Sequence, residues 1–138
     1  MAIAGVLAMR PEVLILDEPA AGLDPKGRDE ILNMVAELHR QRQITVILVS
    51  HSMEDIAKLA TQIIVMNDGT VAMQGTVSEV FSRGAELQAM GLDVPQITLL
   101  VQRLIQKGYP LPKDIFTVEQ AWKEILALFQ KGQGVKPC

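Results

Sequence analysis

Two short apolar runs constrain the fold of this chain more than any other feature. VLIL at residues 13–16 and ITVILV at 44–49 are continuous, rich in β-branched residues, and as long as strands rather than helices. Such runs are typical of central strands covered on both faces, as in a parallel sheet. Between them, apolar residues recur at the spacing of a helix: Ile31, Val35 and Leu38. The order strand, helix, strand predicts an α/β fold.

The rest of the chain predicts one hairpin and then only helices. Apolar runs at 63–66 and 71–73 flank Asp68-Gly69, a pair that favours a tight hairpin turn. Caps and apolar stripes predict helices at 53–60, from Thr76 to Phe81, from Pro95 to Gly108, and after Thr117. A further helix is expected at 1–9, ending before Pro11. We therefore predict an α/β part at residues 1–83 and a helical C-terminal region at 84–138.

Charge and cysteine content exclude several classes of partner and linkage. The 138 residues carry 13 Lys and Arg against 16 Asp and Glu, a formal net charge of −3, without a basic block. No nucleic-acid partner is expected, because binding a phosphate backbone needs a positive surface. Residues 44–49 are too few to span a membrane, and Cys138, the one cysteine, cannot form an internal disulfide.

Acidic and imidazole side chains follow both apolar runs. Asp17 and Glu18 come directly after the first run, Asp24 lies in the next loop, and His51 follows the second run. Because neighbouring parallel strands end at the same edge of a sheet, where such sheets bind ligands, we expect Glu18 and His51 to face one site. Taken singly, each residue also has a structural explanation, such as a strand that ends in solvent or a histidine that caps a helix.

The set of residues suits phosphoryl transfer better than it suits those separate explanations. Mg²⁺ commonly takes one protein carboxylate, which is a role for Asp17. Glu18 can orient and deprotonate an attacking water. His51 can donate a hydrogen bond to a γ-phosphate or to that water.

Four segments carry a resemblance to a known family. LILDEPAAGLDPKGRDEI at 14–31 looks like the Walker B segment and D-loop of ATP-binding cassette (ABC) ATPases, and VILVSHSMEDI at 46–56 looks like their H-switch. MAIAGVLAMRP at the start resembles the helix that follows the ABC signature sequence. GLDPKGRDEIL, together with GLDVPQITLLVQRLIQKGYPLP at 91–112, is similar to the ATPase subunits of energy-coupling factor (ECF) importers.

The resemblance implies a fold, a set of roles and a set of partners. The fold is the C-terminal half of a P-loop NTPase sheet with a hairpin, followed by a small helical domain. Asp17 would belong to the Mg²⁺ site, Glu18 would be the catalytic base, Asp24 would be the D-loop aspartate at a dimer interface, and His51 would be the switch histidine. ATP and Mg²⁺ are the implied cofactors. A second ATPase subunit, a transmembrane coupling subunit and a substrate-binding membrane component are the implied partners, at the cytoplasmic face of the membrane.

One part of the family's site is missing from this sequence. The phosphates are held in a Gly-rich P-loop ending in Gly-Lys-Ser or Gly-Lys-Thr, and neither tripeptide occurs here. The signature sequence is absent as well. We therefore expect a C-terminal fragment of an ATPase that energises uptake of a vitamin or metal ion. By itself the fragment should show no measurable ATP hydrolysis.

Two alternative hypotheses remain open from the sequence. The chain could be a non-catalytic interaction module that docks on a full-length ATPase through its helical tail. The apolar stripe of the last helix fits either core packing or a partner subunit: Val118, Trp122, Ile125 and Phe129. A fragment of an ABC-type DNA-repair ATPase is a third reading, and the net charge and the absence of coiled-coil heptads count against it.

Overall fold

The computed structural model describes residues 11–130, and the helix predicted at 1–9 lies outside them. The chain forms two compact units, Met1–Asp55 and Ile56–Cys138. These units do not test the predicted domain boundary between residues 83 and 84, which stays a prediction. None of the described helices is both long enough and apolar enough to cross a membrane.

The first unit is built from two parallel strands and a helix. Strand β1 (Val13–Asp17) pairs with β2 (Thr45–Val49), and helix α1 (Pro25–Arg42) connects them. One face of the two strands packs against α1, with a core of Leu14, Leu16, Val35 and Ile44. The α/β fold with parallel strands is therefore confirmed.

The opposite face of these strands does not match the expectation of full burial. Val13 and Ile15 on β1 are 49% and 66% exposed, and Ile47 and Val49 on β2 are 47% and 50% exposed. Such runs are typical of strands covered on two faces, and within the described part of the chain one face of each strand is exposed. The apolar run reflects residues that suit burial, whereas burial itself needs a second layer of structure.

Helix α1 begins at a well-formed N-cap. Asp24 has an extended backbone and its side chain accepts a hydrogen bond from the Gly27 main-chain N–H at 3.1 Å. Pro25 follows at the first helical position, where the missing N–H costs nothing. A Cβ on Gly27 would lie 2.8 Å from Asp24 Oδ1, so glycine permits the close approach of the cap.

The second unit opens with the predicted hairpin. After helix α2 (Met53–Leu59), which begins in the first unit, strands β3 (Gln62–Asn67) and β4 (Thr70–Thr76) pair antiparallel. Asp68 and Gly69 both have positive φ, 48° and 75°, as the predicted tight turn requires. Helix α3 (Val77–Phe81) follows with the predicted reciprocal capping box between Thr76 and Glu79.

The remainder of the unit is helical. Helix α4 (Gly84–Ala89) was not predicted, because it has six residues, one buried apolar side chain and no side-chain cap. Helices α5 (Gln96–Gln106) and α6 (Val118–Gln130) match the predicted stripes. They pack around a core of Val101, Leu111, Ile115 and Ala121.

Helix α6 buries a different face from the predicted stripe. Ala121 and Ile125 pack on the core, whereas Val118, Trp122 and Phe129 are 61%, 65% and 59% exposed. Of the two explanations open at the sequence level, core packing is therefore wrong for most of the stripe. An apolar helix face is left on the surface of this unit.

Candidate functional site

The parallel register brings the two predicted strand ends together. Asp17 at the end of β1 lies opposite Val49 at the end of β2. One residue further on, the Glu18 N–H donates to the Val49 carbonyl oxygen at 2.9 Å. The residues just after each strand are therefore neighbours, although 33 positions separate Glu18 from His51.

Glu18 and His51 form a two-point contact. The Glu18 Oε1 atom accepts the His51 main-chain N–H at 2.8 Å and lies 2.7 Å from His51 Nδ1. The expectation that these two residues face one site is met. The hydrogen bond from the His51 side chain lowers the pKa of Glu18 from its ordinary 4.5, and the main-chain N–H adds to this effect. The carboxylate is therefore held in its ionised form at neutral pH.

The backbone of Glu18 adopts a conformation that few side chains take. Its φ is +46°, in the left-handed region, which costs a residue with a Cβ about 1 kcal/mol or more. Hydrogen bonds on both sides hold it there, one from its own N–H to Val49 and one from the Ala21 N–H to its carbonyl oxygen at 3.0 Å. This sharp turn directs Glu18 away from the path of β1 and toward His51.

The proton positions in this pair follow from its chemistry. An ionised carboxylate only accepts hydrogen bonds, so His51 Nδ1 carries a proton. The neutral ring then presents Nε2 as an acceptor, and the charged ring presents it as a donor. Within residues 11–130, Glu18 Oε2 has only a 3.5 Å contact from Ser50 Oγ, too long for a strong hydrogen bond. One carboxylate oxygen is thus occupied by His51, and the other is available.

Asp17 lies on the uncovered face of the strand. It shares this face with Val13 and Ile15, and it alternates along the strand with the buried Leu14 and Leu16. Among residues 11–130 its carboxylate has no hydrogen-bond or ion-pair partner, and the same residues contain no cluster of three acidic, His or Cys side chains that could hold a metal. A single free carboxylate fits Mg²⁺, which keeps most of its ligands as water or phosphate oxygens. The role of Asp17 stays a prediction.

The position of Asp24 follows from its role as the N-cap residue of α1, and not from the Glu18–His51 pair. Its carboxylate is exposed and accepts from Gly27, and its carbonyl oxygen accepts the Arg28 N–H at 2.9 Å. The structure thus gives Asp24 a local role in starting α1. The predicted role at a dimer interface stays a prediction, and the exposure of Asp24 leaves it accessible to a partner.

Arg28 is the residue that sequence reasoning missed. The sequence pattern places it on the polar face of α1, yet its guanidinium contacts Asp55 Oδ1 through Nε at 3.0 Å and Nη2 at 2.7 Å, and Nη2 also contacts Ser52 Oγ. The predicted capping box of α2 is therefore only half formed. The Asp55 N–H donates to Ser52 Oγ at 3.3 Å, but the Asp55 carboxylate turns to Arg28 instead of to Ser52.

These groups line one open cavity of about 250 Å³. Its walls are the loop after β1, the start of α1 and the turn after β2, with the following residues: Glu18, Ala20, Ala21, Gly22, Leu23, Arg28, Ser50, His51, Ser52 and Asp55. A larger depression of about 660 Å³ lies at the amino ends of the strands. Among the described residues that line it, Glu12 is the only carboxylate, so the smaller cavity is the candidate site.

A protein-family model matches less than half of the chain. A model described as AAA domain, AbiEii toxin, Type IV TA system matches residues 1–55. That segment includes both strands and the whole candidate site. The match ends at the last residue of the first unit and does not reach the second unit.

Longer matches come from whole proteins. The energy-coupling factor transporter ATP-binding protein EcfA2 of Clostridium tetani is 56% identical over 129 residues, 94% of this chain and 45% of that protein. The solved structure of cbiO1 from Clostridium perfringens, part of the ABC transporter complex cbiONQ, is 40% identical with a TM-score of 0.56, over 73% of this chain and 40% of that one. The ATP-binding cassette MJ0796 bound to ADP and Pi is 29% identical with a TM-score of 0.52, over 55% of this chain and 32% of that one.

This chain therefore spans about half the length of the curated relatives that it matches. Three observations in that half point the same way: the Walker B, D-loop and H-switch segments, the parallel strand pair, and 56% identity over 129 residues. Over these residues the chain is similar to the ATP-binding subunits of ABC transporters, and in particular to those of the energy-coupling factor branch.

Proposed function

We propose that this chain supplies the catalytic base of an ATP-hydrolysing subunit that energises an ECF-type importer. The observation that carries the proposal is the Glu18 carboxylate, which is fixed at a strand end by two hydrogen bonds from His51. An ionised carboxylate in a fixed position beside an open cavity can accept a proton from a water bound there. The 56% identity to an energy-coupling factor ATP-binding protein supports ATP as the substrate.

Glu18 acts as the general base in this proposal. Its Oε1 is engaged by His51, so Oε2 is the oxygen that accepts the proton of the attacking water. Because the backbone of Glu18 is held by two main-chain hydrogen bonds, the carboxylate needs little rearrangement to reach that water.

His51 has a second role through the nitrogen that faces away from Glu18. In the neutral ring Nε2 accepts a hydrogen bond, so it can orient the O–H of the water. In the charged ring Nε2 donates, so it can contact an oxygen of the γ-phosphate. The ring is 84% exposed, so a ligand can reach Nε2 without moving the protein.

Asp17 would hold Mg²⁺, directly or through water. When bound, Mg²⁺ neutralises charge that develops on the phosphate oxygens. No Gly-Lys-Ser or Gly-Lys-Thr is present in the 138 residues, so the phosphate-binding loop must be supplied by another segment. We therefore expect no ATPase activity from the chain by itself.

The remaining proposals concern the assembly. Asp24 would lie at the interface with a second ATPase subunit. A transmembrane coupling subunit and a membrane component that selects a vitamin or metal ion would complete the transporter, with this chain at the cytoplasmic face. The cbiO1 structure, described as part of a transporter complex, supports membrane partners.

The test uses the chain completed at its N-terminus with the corresponding segment of the Clostridium tetani relative. Glu18→Gln should lower kcat for ATP hydrolysis by a factor of about 10²–10⁴ and leave ATP affinity nearly unchanged, because the amide keeps its size but cannot accept the proton. Glu12→Gln, at the opposite end of β1, is the matched control and should keep wild-type turnover. Undiminished hydrolysis in Glu18→Gln would refute the assignment.

A second candidate function is favoured by the exposed face of α6. Val118, Trp122 and Phe129 leave an apolar surface on a helix whose other face is already packed. A non-catalytic module that docks on a full-length ATPase would use such a face. Co-purification of the 138-residue chain with a complete subunit, abolished by Trp122→Glu, would favour this function. Failure to associate would remove it.

A further inference from the structure

We infer that Arg28 is a positioning residue, which fixes the turn of residues 50–52 so that His51 meets Glu18. The inference rests on the proposed function only for what the Glu18–His51 pair does. The positioning itself is a property of the first unit, where all of these residues lie. Arg28 has side-chain hydrogen bonds to Ser52 and Asp55 and, within the described residues, none to Glu18 or His51.

Arg28 has a fixed position at the start of α1. Its main-chain N–H donates to the Asp24 carbonyl oxygen at 2.9 Å, so it sits in the first turn of α1 behind an N-cap. Its guanidinium then leaves the helix and contacts Asp55 with two nitrogens. Arginine suits this task, since its planar fork donates along several fixed directions at once.

Asp55, the partner of Arg28, is buried. The residue is only 5% exposed, and a buried carboxylate needs a charged or hydrogen-bonding partner. Arg28 is that partner, with Nη2 at 2.7 Å. The pair therefore joins the first turn of α1 to the first turn of α2, the helix that directly follows the His51 turn.

Hydrogen bonds of Ser52 connect this pair to the turn that contains His51. The Ser52 hydroxyl contacts Arg28 Nη2 and accepts the Asp55 N–H, and the Ser52 N–H donates to Ser50 Oγ at 3.1 Å. Both chain neighbours of His51 are thus held by side-chain hydrogen bonds. The main-chain N–H of His51 is left pointing at Glu18 Oε1, at 2.8 Å.

The first arm of the test measures amide hydrogen exchange in the 138-residue chain. Arg28→Ala should make the His51 amide exchange about tenfold faster, because a hydrogen bond to a charged group is lost from a loosened turn. Ser52→Ala should accelerate the same amide while keeping the charge of Arg28, so its effect cannot come from charge. It also serves as the deciding variant should Arg28→Ala not fold.

A matched control distinguishes positioning from general loosening. Arg40→Ala removes another arginine pair on α1, to Glu37 at 2.7 Å, and should leave the His51 amide unchanged. The amides of Leu16 and Leu48 in the strands should keep their rates in every variant. An unchanged His51 amide in both Arg28→Ala and Ser52→Ala, or equal acceleration of the strand amides, overturns the inference.

The second arm measures ATP hydrolysis by the completed protein described above. Arg28→Ala should lower kcat toward the value of His51→Ala with KM for ATP nearly unchanged, whereas Arg40→Ala should keep both. A wild-type protein without ATPase activity would refute the proposed function, and the exchange data would still decide the role of Arg28. Active wild type together with full kcat in Arg28→Ala would overturn the positioning role alone.

Discussion

Replacing Asp24 by alanine tests how much of helix α1 depends on its N-cap. The side chain accepts one hydrogen bond, from Gly27 N–H at 3.1 Å, and no other acidic residue lies in the first turn. Loss of a cap costs about 1 kcal/mol. Loss of the negative charge near the helix N-terminus adds a few tenths more, about 0.3 kcal/mol at this exposed position. We expect Asp24→Ala to lower the free energy of unfolding by about 1.3 kcal/mol.

Urea denaturation of the 138-residue chain, followed by far-UV circular dichroism, measures this loss. With a denaturant slope of about 2 kcal/mol/M, the midpoint should fall by roughly 0.6 M at constant slope. Asp24→Asn is the control, because asparagine caps as well as aspartate and loses only the charge. An unchanged midpoint in Asp24→Ala, or an equal fall in Asp24→Asn, would refute the reasoning.

The same pair of variants separates the cap from the proposed interface role. Asparagine preserves the start of α1, so it leaves the position of Arg28 intact. In the completed protein, any loss of ATPase activity in Asp24→Asn would then report the carboxylate itself. Equal activity of Asp24→Asn and wild type would leave the cap as the function of this residue.

Two further predictions concern a buried hydroxyl and a titrating carboxylate. Thr98 is 1% exposed and its hydroxyl donates to the Ile115 carbonyl oxygen at 2.9 Å, so Thr98→Val should cost about 2 kcal/mol by leaving that carbonyl unsatisfied. Thr98→Ser should cost only about 1 kcal/mol, and equal urea midpoints for the two variants would contradict this. Glu18 should titrate below 4.5 by NMR, and His51→Ala should raise its pKa partly back toward 4.5, because the main-chain N–H still donates. Because the folded-state pKa of Glu18 is lowered, the Glu18–His51 contact stabilises the fold at pH values above the unfolded-state pKa. This contribution is lost as the pH falls through the folded-state pKa. An unchanged NMR titration midpoint of Glu18 in His51→Ala would show that the His51 ring does not hold the carboxylate.

Local sequence patterns predicted most of the secondary structure. Continuous apolar runs predicted β1 and β2, the helical spacing of apolar residues predicted α1, and Asp68-Gly69 predicted the hairpin turn. Each of these signals lies within one element or one turn, where the backbone responds to residues a few positions away. Helix α4 carries no such signal, because it is too short to show a period and has no cap.

The sequence by itself determined which residues stand at the two strand ends, and hence that Glu18 and His51 could meet. Only the tertiary structure decided how they meet, through the register that sets Asp17 opposite Val49 and the left-handed turn at Glu18. It also decided that Arg28 pairs with Asp55 across 27 positions, which no helical or strand period predicts. The physical reason is that burial and long-range hydrogen bonds depend on which elements pack together, and periodicity describes only one element at a time.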